Sequence, residues 1–189
     1  MDNLPDKKAL ALRSLEKNKG YIGVTRDNNR AQVAHFAGVF GNGPDAPFCA
    51  EGSGFCDLIS LADLTETPYT AENVATVLRG LIPVMQEHYW PVSASCGEIV
   101  RQAKAMGIWL SAADCGDNVD ILPGWKAIYD WKCDGVADHI GTASEDDGDI
   151  IHDIEDNTSN ASNANGGAVA LRTRVWNCTL LGFVMTYRE

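Results

Sequence analysis

The chain has 189 residues and a formal net charge of −11 at pH 7; 45% of its residues are hydrophobic and 22% are charged. This balance excludes a disordered or fibrous chain, and the length predicts a single domain over residues 1–189 with one substantial core. The acidic charge and the lack of a lysine- or arginine-rich run argue against a nucleic acid partner, because a protein that binds the phosphate backbone needs a basic surface.

Hydrophobic spacing predicts helices through most of the first 110 residues. The first helix follows Pro5 and stops at Gly20, and its apolar residues recur every three positions. A segment rich in glycine and proline, 41–47, is a breaker. Further helices are predicted at residues 30–40, from about residue 48 onward, at 71–88 and at 95–109.

The second half of the chain changes to the two-residue period of β-strands. Asp134-Gly135 is typical of a hairpin turn, and residues 157–167 form a polar loop. Helices followed by an antiparallel meander indicate an α+β fold. The strands are predicted at residues 127–131, 136–143, 150–155, 169–176 and 180–187.

The N-terminus and the apolar stretches predict where the protein is made, and the cysteine spacing predicts the state of the thiols. Residues 1–8 contain no apolar signal segment, and no stretch reaches the roughly 18–20 apolar residues of a membrane span. We therefore expect that the protein is made in the cytoplasm without a signal peptide and that it is not a membrane protein. The cysteines are too sparse for a disulfide scaffold and include no CxxC pair, so in a reducing cytosol six free thiols are the default expectation, and whether two of them form a disulfide stays open. They are Cys49, Cys56, Cys96, Cys115, Cys133 and Cys178.

Cys49 follows the breaker and begins a predicted helix, and we take it to be the only cysteine placed in this way. At a helix N-terminus the dipole and the free backbone N–H groups lower the pKa of a thiol and favour the reactive thiolate. Gly52 and Gly54 weaken this helix, since each interior glycine costs about 1 kcal/mol relative to alanine. The alternative, a small buried residue of the core, stays open at this point.

A cysteine nucleophile needs a base and a group that orients the base. His139 lies on the strand after the predicted turn and is the candidate base; His152 on the next strand is the alternative. Glu155 and Asn157 are two residues apart and share a face if the strand continues, so either could orient His139. Segment 134–156 contains nine acidic and no basic residues, which predicts a raised pKa for His139.

Four blocks of the sequence resemble the motifs of one enzyme family, in the family's order. The blocks are Pro47-Phe48-Cys49-Ala50 with Phe55-Cys56, residues 134–141, Ile154-Glu155-Asp156-Asn157-Thr158-Ser159, and Leu181-Gly182-Phe183. They are similar to the nucleophile helix, the histidine strand, the Glu-x-Asn-Thr block and the closing strand of CHAP domains. These are cysteine- and histidine-dependent amidohydrolases/peptidases of the NlpC-like papain-fold superfamily. Asn28-Asn29-Arg30 is similar to an upstream element of phage-borne members.

The resemblance implies a papain-like fold, in which the helix of the nucleophile packs on a C-terminal antiparallel sheet. It implies Cys49 as the nucleophile, His139 as the base, and Glu155 with Asn157 as the polar groups that orient the imidazole. The implied activity is a peptidoglycan hydrolase, an amidase or endopeptidase that cleaves an amide bond of the bacterial cell wall through a thioester. No cofactor and no metal ion are expected.

Without a secretory signal, such an enzyme is expected to reach the cell wall or periplasm as a phage endolysin, released by a holin-type partner. One alternative is an injected antibacterial effector, whose producer needs an immunity protein. Another is a non-catalytic CHAP-like phage structural protein. Asp130, Asp134 and Asp138 suggest a calcium ion, but they lack the spacing of an EF-hand loop.

Overall fold

The computed structural model describes residues 4–115, 119–159 and 166–189, so part of the predicted loop 157–167 lies outside the described residues. These residues form an α+β fold, as expected, in which helices come first and a six-stranded sheet follows. The helices are α1 (Lys7–Gly20), α2 (Arg30–Val39), α3 (Cys49–Leu64), α4 (Val74–His88), α5 (Cys96–Ala105) and α6 (Ala112–Cys115). The strands are β1 (Trp109–Ser111), β2 (Lys126–Tyr129), β3 (His139–Asp146), β4 (Ile150–Thr158), β5 (Ala168–Val175) and β6 (Leu180–Val184).

The strand order is β1-β6-β2-β3-β4-β5, and all neighbouring strands are antiparallel. The expectation of a simple meander is therefore wrong for β6, which lies between β1 and β2 instead of beside β5. The strand is apolar and mostly buried, and a central position in the sheet gives it backbone partners on both edges.

In the described residues no helix has the length and hydrophobicity needed to cross a membrane.

The predicted helix 95–109 is too long, because α5 ends at Ala105. Gly107 has a φ of +68°, and the next N–H, that of Ile108, donates to Ala103 O at 3.0 Å. This is the geometry of a glycine-terminated helix end. The apolar residues that follow belong to β1 and pair with β6, so their spacing reflected a partly buried strand and not a further helical turn.

Helix α3 forms despite its interior glycines and is buried over nearly its whole length. A Cβ atom on Gly52 would collide with the carboxyl group of Asp156, and one on Gly54 would lie 2.8 Å from Cζ of Phe40. The missing side chain at Gly52 therefore lets β4 pack closely against α3, and the missing side chain at Gly54 lets the end of α2 do the same. This packing offsets their poor helix propensity.

A buried ion pair joins α3 to the sheet. Nζ of Lys126 on β2 lies 2.7 Å from Oδ1 of Asp57, and both side chains are almost fully buried. Asp57 also accepts hydrogen bonds from Ser14 Oγ on α1 at 2.5 Å and from Trp90 Nε1 at 3.0 Å. Lys126 donates a second hydrogen bond to Thr142 Oγ1 on β3, at 3.1 Å. The first helix, the central helix and two strands thus share one polar network.

The expectation of six free thiols is wrong, because Cys133 and Cys178 form a disulfide. It joins the β2–β3 connection to the β5–β6 connection. These two segments lie close together because β6 pairs with β2. The other four cysteines are free. Spacing along the chain does not show this pairing, since the two cysteines are 45 residues apart.

Replacing Cys133 and Cys178 with serine is expected to lower the free energy of unfolding by roughly 2–4 kcal/mol, because the bond restricts the unfolded chain over a 45-residue separation. Urea-induced unfolding of the two proteins measures the difference. Cys133→Ser alone should lose as much, since the bond is absent in both variants. Equal stability of the wild type and the double variant would contradict the prediction.

Candidate active site

Cys49 is the first residue of α3 and is partly exposed. The first backbone hydrogen bond of the helix runs from Gly52 N to Phe48 O, at 2.8 Å. The N–H groups of residues 49–51 therefore have no helical acceptor and point toward the start of the helix. One of them, from Ala50, stabilises the thiolate of Cys49. The same end of the helix suits a negatively charged oxygen of a substrate.

The imidazole of His139 is held by a carboxylate. Nε2 of His139, at the start of β3, lies 2.9 Å from Oε2 of Glu155 on β4, and both side chains are fully buried. Arg174 on β5 donates to the same carboxylate through Nε and Nη2, at 2.5 and 2.6 Å. Burial alone would raise the pKa of Glu155, but the bonds to His139 and Arg174 lower it to about 2. Glu155 is therefore ionised.

Three aromatic and cationic groups cover this pair. The indole of Trp131 stacks on the ring of Tyr129, with centroids 5.2 Å apart and the planes 2° from parallel. The Arg174 guanidinium lies 4.9 Å from the Trp131 ring centroid, and the His139 ring lies 5.5 Å from it. The carboxylate and imidazole are thus shielded from water, which strengthens their interaction.

Cys49 and His139 change each other's protonation. Nδ1 of His139 is buried and has no hydrogen-bond partner within normal distance, and Cys49 and Glu155 are the two side chains that raise the pKa of this imidazole most. Burial alone would lower the pKa of His139, but the interactions with Cys49 and Glu155 raise it to about 10. The pKa of Cys49 is lowered by the Cys96 thiol and by His139, against the effect of burial. At neutral pH this favours a thiolate next to an imidazolium.

Asn157 lies at the same end of β4 but in a different orientation from the one expected. The β4–β5 register shifts between Glu155 and Thr158, and Asn157 has a φ of +57°. The simple alternation that would place it on the face of Glu155 therefore does not hold. Its Oδ1 accepts a hydrogen bond from Arg26 Nη2 at 3.0 Å, and the same Nη2 donates to Ala46 O at 2.9 Å. Through Arg26, Asn157 ties the loop before Cys49 to β4.

His152, the alternative base, lies beside β5. Its Nδ1 is 3.4 Å from Thr173 Oγ1, and it pairs with Thr173 across the strands. The histidine whose pKa responds to Cys49 is His139. The structure therefore brings together Cys49, His139 and Glu155.

Sequence reasoning missed Cys96, Arg174 and Arg26. Cys96 begins α5 after the capping residue Ser95, whose Oγ accepts from Glu98 N at 3.3 Å. Cys49 is therefore not the only cysteine at the start of a helix, and the same local signal identifies Cys96. Arg174 and Arg26 had no such signal, since their partners are distant in sequence.

The described residues contain no group of three or more His, Cys, Asp or Glu side chains that could hold a metal ion. The carboxylates considered for calcium accept backbone hydrogen bonds within their own connection: Asp130 from Gly135 N, Asp134 from Val136 N, and Asp138 from Trp131 N.

Comparisons of the chain with protein-family models, with curated proteins and with solved structures give no match.

Iodoacetamide is expected to alkylate Cys49 at pH 6, where an ordinary thiol is only about 0.3% ionised. The pKa of Cys49 is lowered, so its thiolate persists as the pH falls to that lower value. Mass spectrometry of the peptide containing Cys49, between pH 4 and 10, measures the rate. Cys56 and Cys115 are internal controls, because burial raises their pKa values. A reaction at Cys49 that begins only above pH 8 would contradict the prediction.

Proposed function

We propose that the protein is a cysteine hydrolase that cleaves an amide bond of bacterial peptidoglycan, with the papain-like arrangement of a CHAP domain. The observation that carries the proposal is the partly exposed thiol of Cys49 at a helix start, interacting with an imidazole that a buried carboxylate orients. A nucleophile, a base and an orienting group in this relation are the parts required for acyl transfer. The family blocks that resemble CHAP domains supply the substrate class.

The reaction begins when the Cys49 thiolate attacks the carbonyl carbon of the amide. The N–H of residue 49, at the start of α3, stabilises the negative charge on the oxygen. Protonated His139 then gives its Nδ1 proton to the leaving nitrogen as the C–N bond breaks, and a thioester remains on Cys49. Neutral His139 next takes a proton from water, whose oxygen attacks the thioester and releases the acid and the thiolate.

The Cys133–Cys178 disulfide favours work outside a reducing cytosol, since such bonds persist in oxidising compartments. This agrees with synthesis in the cytoplasm of a host followed by action on the cell wall or periplasm. A phage endolysin released by a holin-type partner is our first choice, because Asn28-Asn29-Arg30 resembles phage-borne members. In the structure Arg30 pairs with Asp45, with Nη2 and Oδ2 2.7 Å apart, and so connects α2 to the loop before Cys49. The alternative, an injected effector whose producer needs an immunity protein, would use the same chemistry as the endolysin.

A non-catalytic CHAP-like structural protein was suggested by the glycines that follow Cys49. In the structure these glycines fit the close packing of α3, and the helix is intact. The glycines therefore give no support to the non-catalytic alternative.

Purified protein is expected to release soluble fragments from isolated peptidoglycan, and Cys49→Ala should lose at least about 10³-fold in rate. Mass spectrometry of the fragments identifies the bond: a new free amine on the first residue of the stem peptide indicates an amidase, and one within the peptides indicates an endopeptidase. Cys115→Ser, which alters a cysteine outside the site, is the matched control and should remain active. Release by the wild type that does not exceed release by Cys49→Ala would overturn the proposal.

A further inference from the structure

Two thiols face each other at the candidate site. Sγ of Cys96 lies 3.9 Å from Sγ of Cys49, although 47 residues separate them in the chain. Each is the first residue of its helix, so the N-termini of α3 and α5 meet at the sulfur atoms. A disulfide requires a separation of about 2.05 Å, so the two sulfur atoms must approach by about 2 Å. Side-chain rotation with a small shift of the helix ends can supply this.

The two sulfur atoms differ in exposure and in protonation. Cys49 is partly exposed and favours the thiolate, whereas Cys96 is 6% exposed and its pKa is raised by the hydrogen bond with Cys49 and by burial. An accessible thiolate reacts with small oxidants, and the neighbouring sulfur of Cys96 is placed to attack the product once it gives up its proton. Cys56 and Cys115 are buried, and the thiol pair described for Cys49 is the one with Cys96.

We infer that Cys49 and Cys96 form a redox pair, in which a hydroperoxide oxidises Cys49 and Cys96 closes a reversible disulfide. The Cys49 thiolate attacks the terminal peroxide oxygen, the O–O bond breaks, and Cys49 becomes a sulfenic acid while the alkoxide or hydroxide takes up a proton. The sulfur of Cys96 then attacks Sγ of Cys49. Hydroxide leaves and combines with the proton of Cys96 as water. Two electrons pass from the two thiols to the peroxide.

The disulfide would block the nucleophile and at the same time protect it. A sulfenic acid without a nearby thiol is oxidised further to a sulfinic acid, which thiol reagents do not reduce. A disulfide at the same sulfur is reduced by dithiothreitol. The pair therefore makes oxidative inactivation reversible by thiol reductants. This inference does not rest on the proposed substrate, because it concerns the thiols alone.

The test treats the full chain with hydrogen peroxide at pH 7, blocks the remaining thiols under denaturing conditions, and maps the peptides without reduction. We expect a peptide pair linked through Cys49 and Cys96, two hydrogen masses lighter than the separate peptides, and recovery of free Cys49 after dithiothreitol. In Cys96→Ser the unrecoverable sulfinic form of Cys49 should increase at least tenfold. Cys115→Ser is the matched control and should keep the linked pair.

The wild-type peptide map does not depend on whether a variant folds. Sulfinic acid at Cys49 in the wild type without the linked pair would overturn the inference. So would a link from Cys49 to any other cysteine, or equal recovery of Cys49 in the wild type and in a Cys96→Ser protein whose circular dichroism is native. Loss of peptidoglycan cleavage plays no part in the readout, so the inference and the proposed function can fail separately.

Discussion

Replacing Glu155 with glutamine is expected to slow amide hydrolysis by about 10³-fold, although Cys49 and His139 are unchanged. The carboxylate accepts from His139 Nε2 at 2.9 Å and is itself fixed by Arg174. Glutamine keeps the shape but carries no charge, and its amide nitrogen is a donor that cannot accept from His139 or Arg174. The imidazolium then loses the anion that stabilises it, and kcat/KM for peptidoglycan fragments measures the effect.

The same substitution is expected to shift the pH profile. In the wild type the interactions with Cys49 and Glu155 outweigh burial and raise the pKa of His139 to about 10. Without the carboxylate, burial lowers that pKa, and the alkaline limb of the rate profile moves to lower pH. Glu145→Gln is the matched control, because it removes an exposed acid of the same acidic segment. An equal shift in Glu145→Gln would show that the segment as a whole, and not Glu155, controls His139.

The stability effect of the pair also depends on pH in a defined direction. His139 has a folded-state pKa raised from 6.5 to about 10, so its contribution is complete below pH 6.5 and is lost as the pH approaches 10. Glu155 has a pKa lowered from 4.5 to about 2, so its contribution is complete above pH 4.5 and is lost as the pH falls toward 2. Urea unfolding should therefore show a larger loss for Glu155→Gln at pH 5.5 than at pH 9.5. A loss that grows with pH would contradict this assignment.

The raised pKa of His139 was expected from the nine acids of segment 134–156, and the direction is confirmed. The cause is more local than the sequence suggested. Asp153 and Asp156 are buried, and burial raises their pKa values well above the ordinary range of a carboxyl group, which disfavours their charged forms. The charges that stabilise the imidazolium are those of Glu155 and the Cys49 thiolate.

Local patterns were sufficient where a residue's position depends on its own element. A breaker before the helix predicted Cys49 at a helix start, and a turn before the strand predicted His139 on a strand, and the structure has both residues there. Glu155 and Asn157 were expected to share a face on the condition that the strand continues regularly. A register shift and a positive φ at Asn157 interrupt this regularity, and the two-residue period cannot show such a shift. Cys96 carried the same helix-start signal as Cys49, but only the folded chain shows that the two thiols meet.

Contacts between distant segments could not be predicted from spacing. The last strand, β6, inserts beside β2, and this placement brings together the connections that carry Cys133 and Cys178. Arg174 reaches Glu155 across the pairing of β5 with β4, which the expected meander includes, but a basic residue on a strand gives no indication of such a partner. The disulfide depends on the strand order and the Arg174 contact on the register, and a sequence of alternating apolar residues leaves both open.

Asp57→Asn is expected to lower the free energy of unfolding by about 3–5 kcal/mol, because it leaves the charge of Lys126 buried without a counter-ion. The amide oxygen that replaces the carboxylate and Thr142 Oγ1, at 3.1 Å, are then the neutral acceptors for the ammonium group. Lys126→Met should cost less, since Asp57 keeps the donors Ser14 and Trp90. Urea unfolding of the three proteins measures both differences.

The double variant Asp57→Asn with Lys126→Met separates the charge effect from packing. It is expected to be more stable than Asp57→Asn alone, because no unpaired charge remains, and a double-mutant cycle gives the coupling energy. Asp63→Asn, on the same helix but in a partly exposed ion pair with Lys17, should cost below about 1 kcal/mol. Equal losses for Asp57→Asn and Asp63→Asn would contradict the prediction. Because Asp57 anchors α3 to β2, and β2 pairs with the strand of His139, Asp57→Asn should also reduce the low-pH alkylation of Cys49.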